Sequence, residues 1–267
     1  MEQKDWERTA ELYHEEVVSP FYGDVENPLL DELSNVENKK QKSVAEFGCG
    51  MFYLCDDLSK QFKQVHASDF CQTFVDKAKK RSKDYSNVTL KKEDMRELKY
   101  KNKFDVIISV NSLIMPYNAD IKRSLANLYN SIKKKGRFFL IVPSMESVLY
   151  HGMLLLDYKL NESCSEKKNG KEELKDKELK KIEGIARSAA KRKFELKDYD
   201  LFLGHYKSDK EVQKFYYKHE IEYLLRKSGF KDIRFKKVKY PWGKDISDYE
   251  DFPEEEPMWD WAISAKK

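Results

Sequence analysis

A chain of 267 residues has room for one domain with an elaboration and a core of useful size. Its charged fraction of 37% is high, yet 13% aromatic residues make it globular rather than disordered. The net charge of +4 is small beside 51 Lys+Arg and 47 Asp+Glu, no basic block interleaves with aromatics, and no apolar run approaches a membrane span; neither a nucleic-acid groove nor a membrane partner is indicated.

The start, Met-Glu-Gln-Lys-Asp, lacks signal-peptide character, which sets the expectation of a cytoplasmic protein. Cys49, Cys55, Cys71 and Cys164 form no C-x-x-C pair, and no histidine stands at zinc-ligand spacing, so no metal is expected. In residues 1–40, Trp6, Ala10 and Tyr13 fall on one face of a helix. Pro20 breaks the pattern, and Leu29, Leu30 and Leu33 mark a second helix after Pro28.

The stretch Val44-Ala-Glu-Phe-Gly-Cys-Gly-Met-Phe-Tyr-Leu54 reads as a strand, a glycine turn and a helix continuing through Leu58 and Phe62. Glycines at such a turn let a nucleotide approach the backbone, because a Cβ would occupy that space. Gly48-x-Gly50 lacks the third glycine of a dinucleotide fingerprint, so hydride transfer with NAD is not the first reading. The next strand, Gln64 to Ser68, ends at Asp69, about twenty residues on, where a carboxylate can accept ribose hydroxyls. A strand-like run from Asn87 then ends at Glu93-Asp94-Met95, an acidic edge followed by an apolar face.

Phe74, Val75 and Ala78 form one helical stripe; Ile121, Leu125, Leu128 and Ile132 form another, which Gly136 is expected to stop. Alternating strands and helices imply a parallel sheet, with ligands beyond the carboxyl ends of its strands. The strand Asp105 to Val110 delivers Asn111 and Ser112 to that rim, where they can cap a turn, line a ligand channel, or both.

Residues 144–215 read as an insertion. Met145 to Tyr158 has a helical apolar band, and Lys171 to Lys193 is a Lys/Glu-rich stretch of solvated-helix character. Tyr199 to Tyr206 alternates like a strand that pairs with Val212 to Tyr217 across Ser208-Asp209. His219 to Leu225 is a helix ending at Gly229; strands follow from Ile233 to Tyr240 and from Met258 to Ala265, separated by the acidic loop Asp245 to Pro257.

Glu46-Phe-Gly48-Cys49-Gly50, Asp69-Phe70, Glu93-Asp94-Met95, Phe104-Asp105-Val-Ile-Ile-Ser-Val and Lys135-Gly136-Arg-Phe-Phe-Leu-Ile-Val, in that order, resemble the class I S-adenosylmethionine-dependent methyltransferases over residues 41–143. The resemblance implies an α/β fold with a Rossmann-like, seven-stranded, mostly parallel sheet, helices on both faces, a helical and hairpin insertion, and an antiparallel last strand. N-terminal helices (1–40) would cover the cofactor site, the core would span 41–143, the inserted cap 144–215, and the closing helix and strands 216–267. Glu46 and the backbone of Gly48, Cys49 and Gly50 would hold the methionine end of the cofactor. Asp69 would take the ribose hydroxyls, Phe70 would pack near the adenine, and Asp94 with Met95 would meet its amine and ring. Phe52 stands where the family usually has another glycine, so the turn must shift or turn Phe52 outward.

The sulfonium is an activated methyl donor, so the protein must chiefly align the acceptor and exclude water. Were a base needed, His205 in the expected lid hairpin is the catalytic candidate, with Tyr206 and Tyr216 as companions. Asn111, on the cofactor side, and Tyr240 and Trp242, at the acceptor mouth, complete the expected site. The implied function is methyl transfer to a small molecule. RNA or protein methylation on the same fold, and a non-catalytic S-adenosylmethionine-binding protein, are the alternatives.

Overall fold

Four of the five residues of β1 (Ser43–Phe47) are buried, as a strand covered on both faces requires. The computed structural model describes residues 6–7, 19–162, 204–208, 211–242 and 252–267. β1 pairs in parallel with β2 (Gln64–Asp69) and β4 (Phe104–Val110). β2 pairs in parallel with β3 (Val88–Lys92), and β4 with β5 (Ile132–Pro143). β9 (Met258–Lys266) runs antiparallel between β5 and β8 (Lys231–Tyr240), giving the order β3-β2-β1-β4-β5-β9-β8. This is the mostly parallel seven-stranded α/β sheet expected, and its strand order reverses between β1 and β4, where such sheets bind ligands.

Alternation along each strand divides the core between the two faces. Ala45, Phe47 and Ile107 pack with Ile121, Leu125 and Leu128 of α4 (Asn118–Ser131) and with Ile221 and Leu225 of α6 (Lys218–Ser228). Val44, Val106 and Ile108 face Leu29 and Leu33 of α1 (Leu29–Ser34), Leu58 of α2 (Cys55–Gln61) and Ala78 of α3 (Gln72–Arg81). The longer α5 (Met145–Glu162) leaves the end of β5. Among the described residues, no helix is long and apolar enough to cross a membrane.

The stop expected at Gly136 comes earlier. α4 ends at Ser131, and Ile132 is already extended (φ −78°, ψ 138°), pairing with Phe104 in β5. Ile132 shares the helical spacing because strand and helix both bury it. Gly136 serves the β5 register shift instead: a Cβ there would stand 2.4 Å from Ile132 Cγ2 and 2.9 Å from the Asp105 carbonyl. Gly229 does end α6, in the left-handed region at φ 104°.

The hairpin comprises β6 (His205–Ser208) and β7 (Glu211–Lys214), paired from His205↔Lys214 to Ser208↔Glu211. Residues 199–203, the expected start of its first strand, lie outside the described residues, as do 163–198, which include the Lys/Glu-rich stretch. The hairpin's exit is fastened to the sheet: the Tyr216 amide donates to the Pro143 carbonyl at 2.8 Å, and the Met145 amide to the Tyr216 carbonyl at 3.0 Å. Entry and exit of the insertion therefore meet at the Ser144–Tyr216 bridge, beyond the end of β5.

Candidate functional site

The turn after β1 has Gly48 at φ 72° and Gly50 at φ 49°, and it is stitched to the end of β2. The Gly48 and Cys49 amides donate to the Ser68 carbonyl at 2.8 and 2.9 Å, and the Gly50 amide donates to Asp69 Oδ2 at 3.0 Å. At Gly48 the missing side chain makes room for protein rather than ligand. A Cβ there would lie 2.3 Å from Ser112 Cβ, and Ser112 Oγ bonds the Phe47 carbonyl at 3.2 Å and Ser109 Oγ at 2.6 Å.

Phe52 does not face outward. It takes the left-handed backbone itself, at φ 53°, and its fully buried ring joins the core with Leu29, Leu33, Leu54 and Ile108. The conformation costs about 1–2 kcal/mol for a side-chain-bearing residue. Burial of a phenylalanine ring contributes about 1.5–3 kcal/mol and offsets it.

Glu46 faces the same side of the sheet as Val44 and is 2% exposed; its Oε2 has no hydrogen-bond partner. Burial, reinforced by the charge of Asp69, pushes its carboxyl up to about 8. Burial also pushes Asp69 up to about 6, while the amides of Cys71, at 2.9 Å, and Gly50 pull it back. A buried carboxylate oxygen without a donor is costly. A ligand ammonium would supply both the donor and the counter-charge, so the residues present fit the amino-acid end of S-adenosylmethionine. Burial, then Asp69 and Glu46, raise the Cys49 thiol well above its ordinary range, leaving it protonated and unsuited to nucleophilic work.

Phe70 is half-buried beside Cys71, Phe74, Met51 and Trp6; the Trp6 and Phe74 rings are 6.4 Å apart. Asp94 is not the open acceptor expected for an adenine amine. It accepts from the Arg96 amide at 2.8 Å and from Arg96 Nε and Nη2 at 2.9 and 2.6 Å, so a base would share it with Arg96. Met95 is buried in the core under Gly48, with Ser109 Oγ 3.9 Å from its sulfur.

At the acceptor end, Asn111 sits just past β4 at φ 44°. Its Nδ2 donates to Asp260 Oδ2 at 2.9 Å, and the Tyr240 hydroxyl donates to the same oxygen at 2.6 Å. Asn111 and Tyr240, both expected at the site, thus meet on Asp260, which sequence reasoning did not single out. The signal was present: one carboxylate stands in the apolar run Met258 to Ile263, between Trp259 and Trp261.

Other expected residues lie elsewhere. Tyr216, expected to face the acceptor, is fully buried and donates its hydroxyl to the Leu113 carbonyl at 2.5 Å; it anchors the insertion to the core. Trp242 packs with His151 and Phe252 and donates Nε1 to the Glu255 carbonyl at 3.0 Å. The side chains of His205 and Tyr206 lie outside the described residues. His66 pairs with Glu93 at 2.7 Å beside the rings of Phe47 and Phe104, a structural placement.

Residues 44–136 match the model of a methyltransferase domain. The malonyl-[acyl-carrier protein] O-methyltransferase of Bacillus cereus is 30% identical over 122 residues, which cover 43% of this chain and 44% of that protein. The chain thus matches less than half the length of this curated relative. Among solved structures, a SAM-dependent methyltransferase of Methanosarcina mazei superposes with a TM-score of 0.59 at 13% identity, covering 90% of this chain and 97% of the other. The 1,6-didemethyltoxoflavin-N1-methyltransferase of Burkholderia thailandensis, solved with S-adenosylhomocysteine, gives 0.61 at 12% identity, covering 99% and 86%. Residues 44–136 thus match a methyltransferase domain, and the chain shares the fold of the class I S-adenosylmethionine-dependent methyltransferases.

Proposed function

We propose that this protein transfers a methyl group from S-adenosylmethionine to a small-molecule acceptor. The observation that carries the reading is the buried, partnerless Oε2 of Glu46, beside the glycine turn and Asp69 at the point where the strand order reverses. When bound, the cofactor supplies an activated methyl group. In this reading Glu46 receives its ammonium, the Cys49 and Gly50 backbone follows the amino-acid chain, and Asp69 accepts the ribose hydroxyls. Phe70 and Met95 flank the adenine, whose amine shares Asp94 with Arg96. Gly48 contributes by letting Ser112 close the strand ends, and Asn111 stands between cofactor and acceptor.

The Bacillus cereus relative acts on an acyl-carrier-linked substrate, and the Burkholderia thailandensis neighbour methylates a nitrogen of a small molecule; both are compatible with a discrete acceptor. The expected cap, residues 144–215, lies largely outside the described residues; its two ends meet at the Ser144–Tyr216 bridge. A reducing, cytoplasmic setting agrees with free Cys49, Cys55 and Cys71.

Isothermal titration with S-adenosylmethionine, S-adenosylhomocysteine and NADH tests the reading. The expected outcome is micromolar binding of both sulfur nucleotides, no NADH binding, and about tenfold or greater weakening in Asp69→Ala. Binding of NADH in place of the sulfur nucleotides, or of none of the three, would overturn it.

A further inference from the structure

The acceptor end of the sheet holds a buried polar cluster that the cofactor contacts above leave unused. Asp260 lies on β9, paired with Pro143 of β5 and Val238 of β8, and is 8% exposed. Its neighbours Trp259 and Trp261 go to the opposite face, into the core with α4 and α6. Asp260 itself meets Tyr240 and Asn111. Asn111 follows β4, the strand adjacent to the one carrying Glu46. The cluster therefore starts beside the cofactor turn and runs across the end of β5 to β8 and β9.

Its hydrogen-bond inventory has a definite sign. Both side-chain donors, the Tyr240 hydroxyl and Asn111 Nδ2, converge on Oδ2 of Asp260. The Ser144 backbone amide also donates to this carboxylate, which with about four lone-pair sites keeps further acceptor capacity. Asn111 Oδ1 is buried and has no partner. Among the described residues, what this cluster still offers is Asn111 Oδ1 and the remaining lone pairs of Asp260, and both accept. A buried, unmet carbonyl costs about 1–3 kcal/mol, and Asn111 also holds a left-handed backbone there. A carboxylate acceptor would meet like charge, whereas an amine would meet oxygens able to receive its protons.

We infer that Asp260, Asn111 and Tyr240 form the acceptor subsite, and that the methyl acceptor is a nitrogen nucleophile whose N–H groups are received by Asp260 and by Asn111 Oδ1. The inference rests on the methyltransferase reading and narrows its substrate class. Tyr240 is a positioning residue that holds the Asp260 carboxylate. Burial raises the Asp260 carboxyl above its ordinary range, with Tyr240, Asn111 and the Ser144 backbone drawing it back; a cationic amine would draw it back further.

The test needs no knowledge of the natural acceptor. Sinefungin is an S-adenosylmethionine analogue whose primary amine projects from the position of the transferable methyl group, so it brings a nitrogen to the acceptor side. S-adenosylhomocysteine lacks that group. Both are titrated calorimetrically into wild type, Asp260→Asn, Asn111→Ala and Tyr240→Phe, with circular dichroism and thermal melts to establish folding.

Wild type is expected to bind sinefungin more tightly than S-adenosylhomocysteine. Asp260→Asn should lower sinefungin affinity about tenfold or more while changing S-adenosylhomocysteine by about twofold or less. Tyr240→Phe should show a smaller loss with the same selectivity, and together with Asn111→Ala it decides the matter should Asp260→Asn not fold. Equal losses for both ligands, or no change in either, would overturn the acceptor assignment. Wild type binding neither ligand would instead bring down the methyltransferase reading itself.

Discussion

The amide of Gly50 donates to Asp69 Oδ2 at 3.0 Å, so the carboxylate proposed to hold the ribose also holds the glycine turn. Its other oxygen accepts from the Cys71 amide at 2.9 Å. Asp69→Ala should therefore destabilise the ligand-free protein as well as weaken binding. Loss of these buried bonds is expected to cost about 1–3 kcal/mol, measured by urea unfolding without ligand. An unchanged midpoint would mean that the turn does not depend on this carboxylate.

Glu46 gives a pH dependence of definite sign. Its folded value, about 8, lies above the ordinary value of 4.5, so the folded state holds the proton more tightly. Its stabilising contribution is full below about pH 4.5 and is lost as pH rises toward 8. Asp69 acts in the same sense between its ordinary value of 3.8 and about 6. Glu46→Gln should raise the melting temperature of the ligand-free protein at pH 8 and flatten its fall between pH 5 and pH 8, while weakening S-adenosylhomocysteine. A variant less stable than wild type at pH 8 would contradict this account.

Binding should also release a proton. A ligand ammonium beside Glu46 favours its ionised form, so S-adenosylhomocysteine affinity should rise from pH 6 to pH 8. Titrations in two buffers of different ionisation enthalpy should show proton release in wild type and much less in Glu46→Gln. Equal release in both proteins would assign the proton to another group.

Phe52→Gly removes about 1–2 kcal/mol of left-handed strain but deletes a fully buried ring. Cavity formation costs about 3–5 kcal/mol for such a truncation, so net destabilisation is expected in chemical denaturation. A neutral result would mean that the ring contributes little to the core.

Lys214 is fully buried, with its ammonium 2.7 Å from Glu220 Oε2, while Glu220 stays partly exposed. Removing the carboxylate leaves a charge in the interior, whereas removing the ammonium leaves one that can reach water. Glu220→Gln is thus expected to cost about 3 kcal/mol or more, and Lys214→Met distinctly less. Thermal melts of the two variants should show that order.

Much of the sheet was legible because strands buried on both faces must be apolar throughout. Val44 to Phe47 and Val106 to Val110 could hardly be anything else between their turns. The glycine turn and Asp69 were legible for a related reason: special backbone angles and strand-end carboxylates leave local marks. Ile132 misled because the same apolar side chain suits the last turn of a helix and the first residue of a strand, and only its pairing with Phe104 separates them. Tyr216 misled because alternation in a hairpin does not say which face meets the body.

The amino-acid sequence by itself determined the order of strands and helices, the turn after β1 and the carboxylates beside it, since each follows from contacts among near neighbours. Only the tertiary structure decided that Phe52 turns inward, that Ser112 occupies the space at Gly48, and that Asp260 meets Asn111 across 149 positions of chain. Those outcomes depend on which surfaces packing brings together, and no local periodicity carries that information.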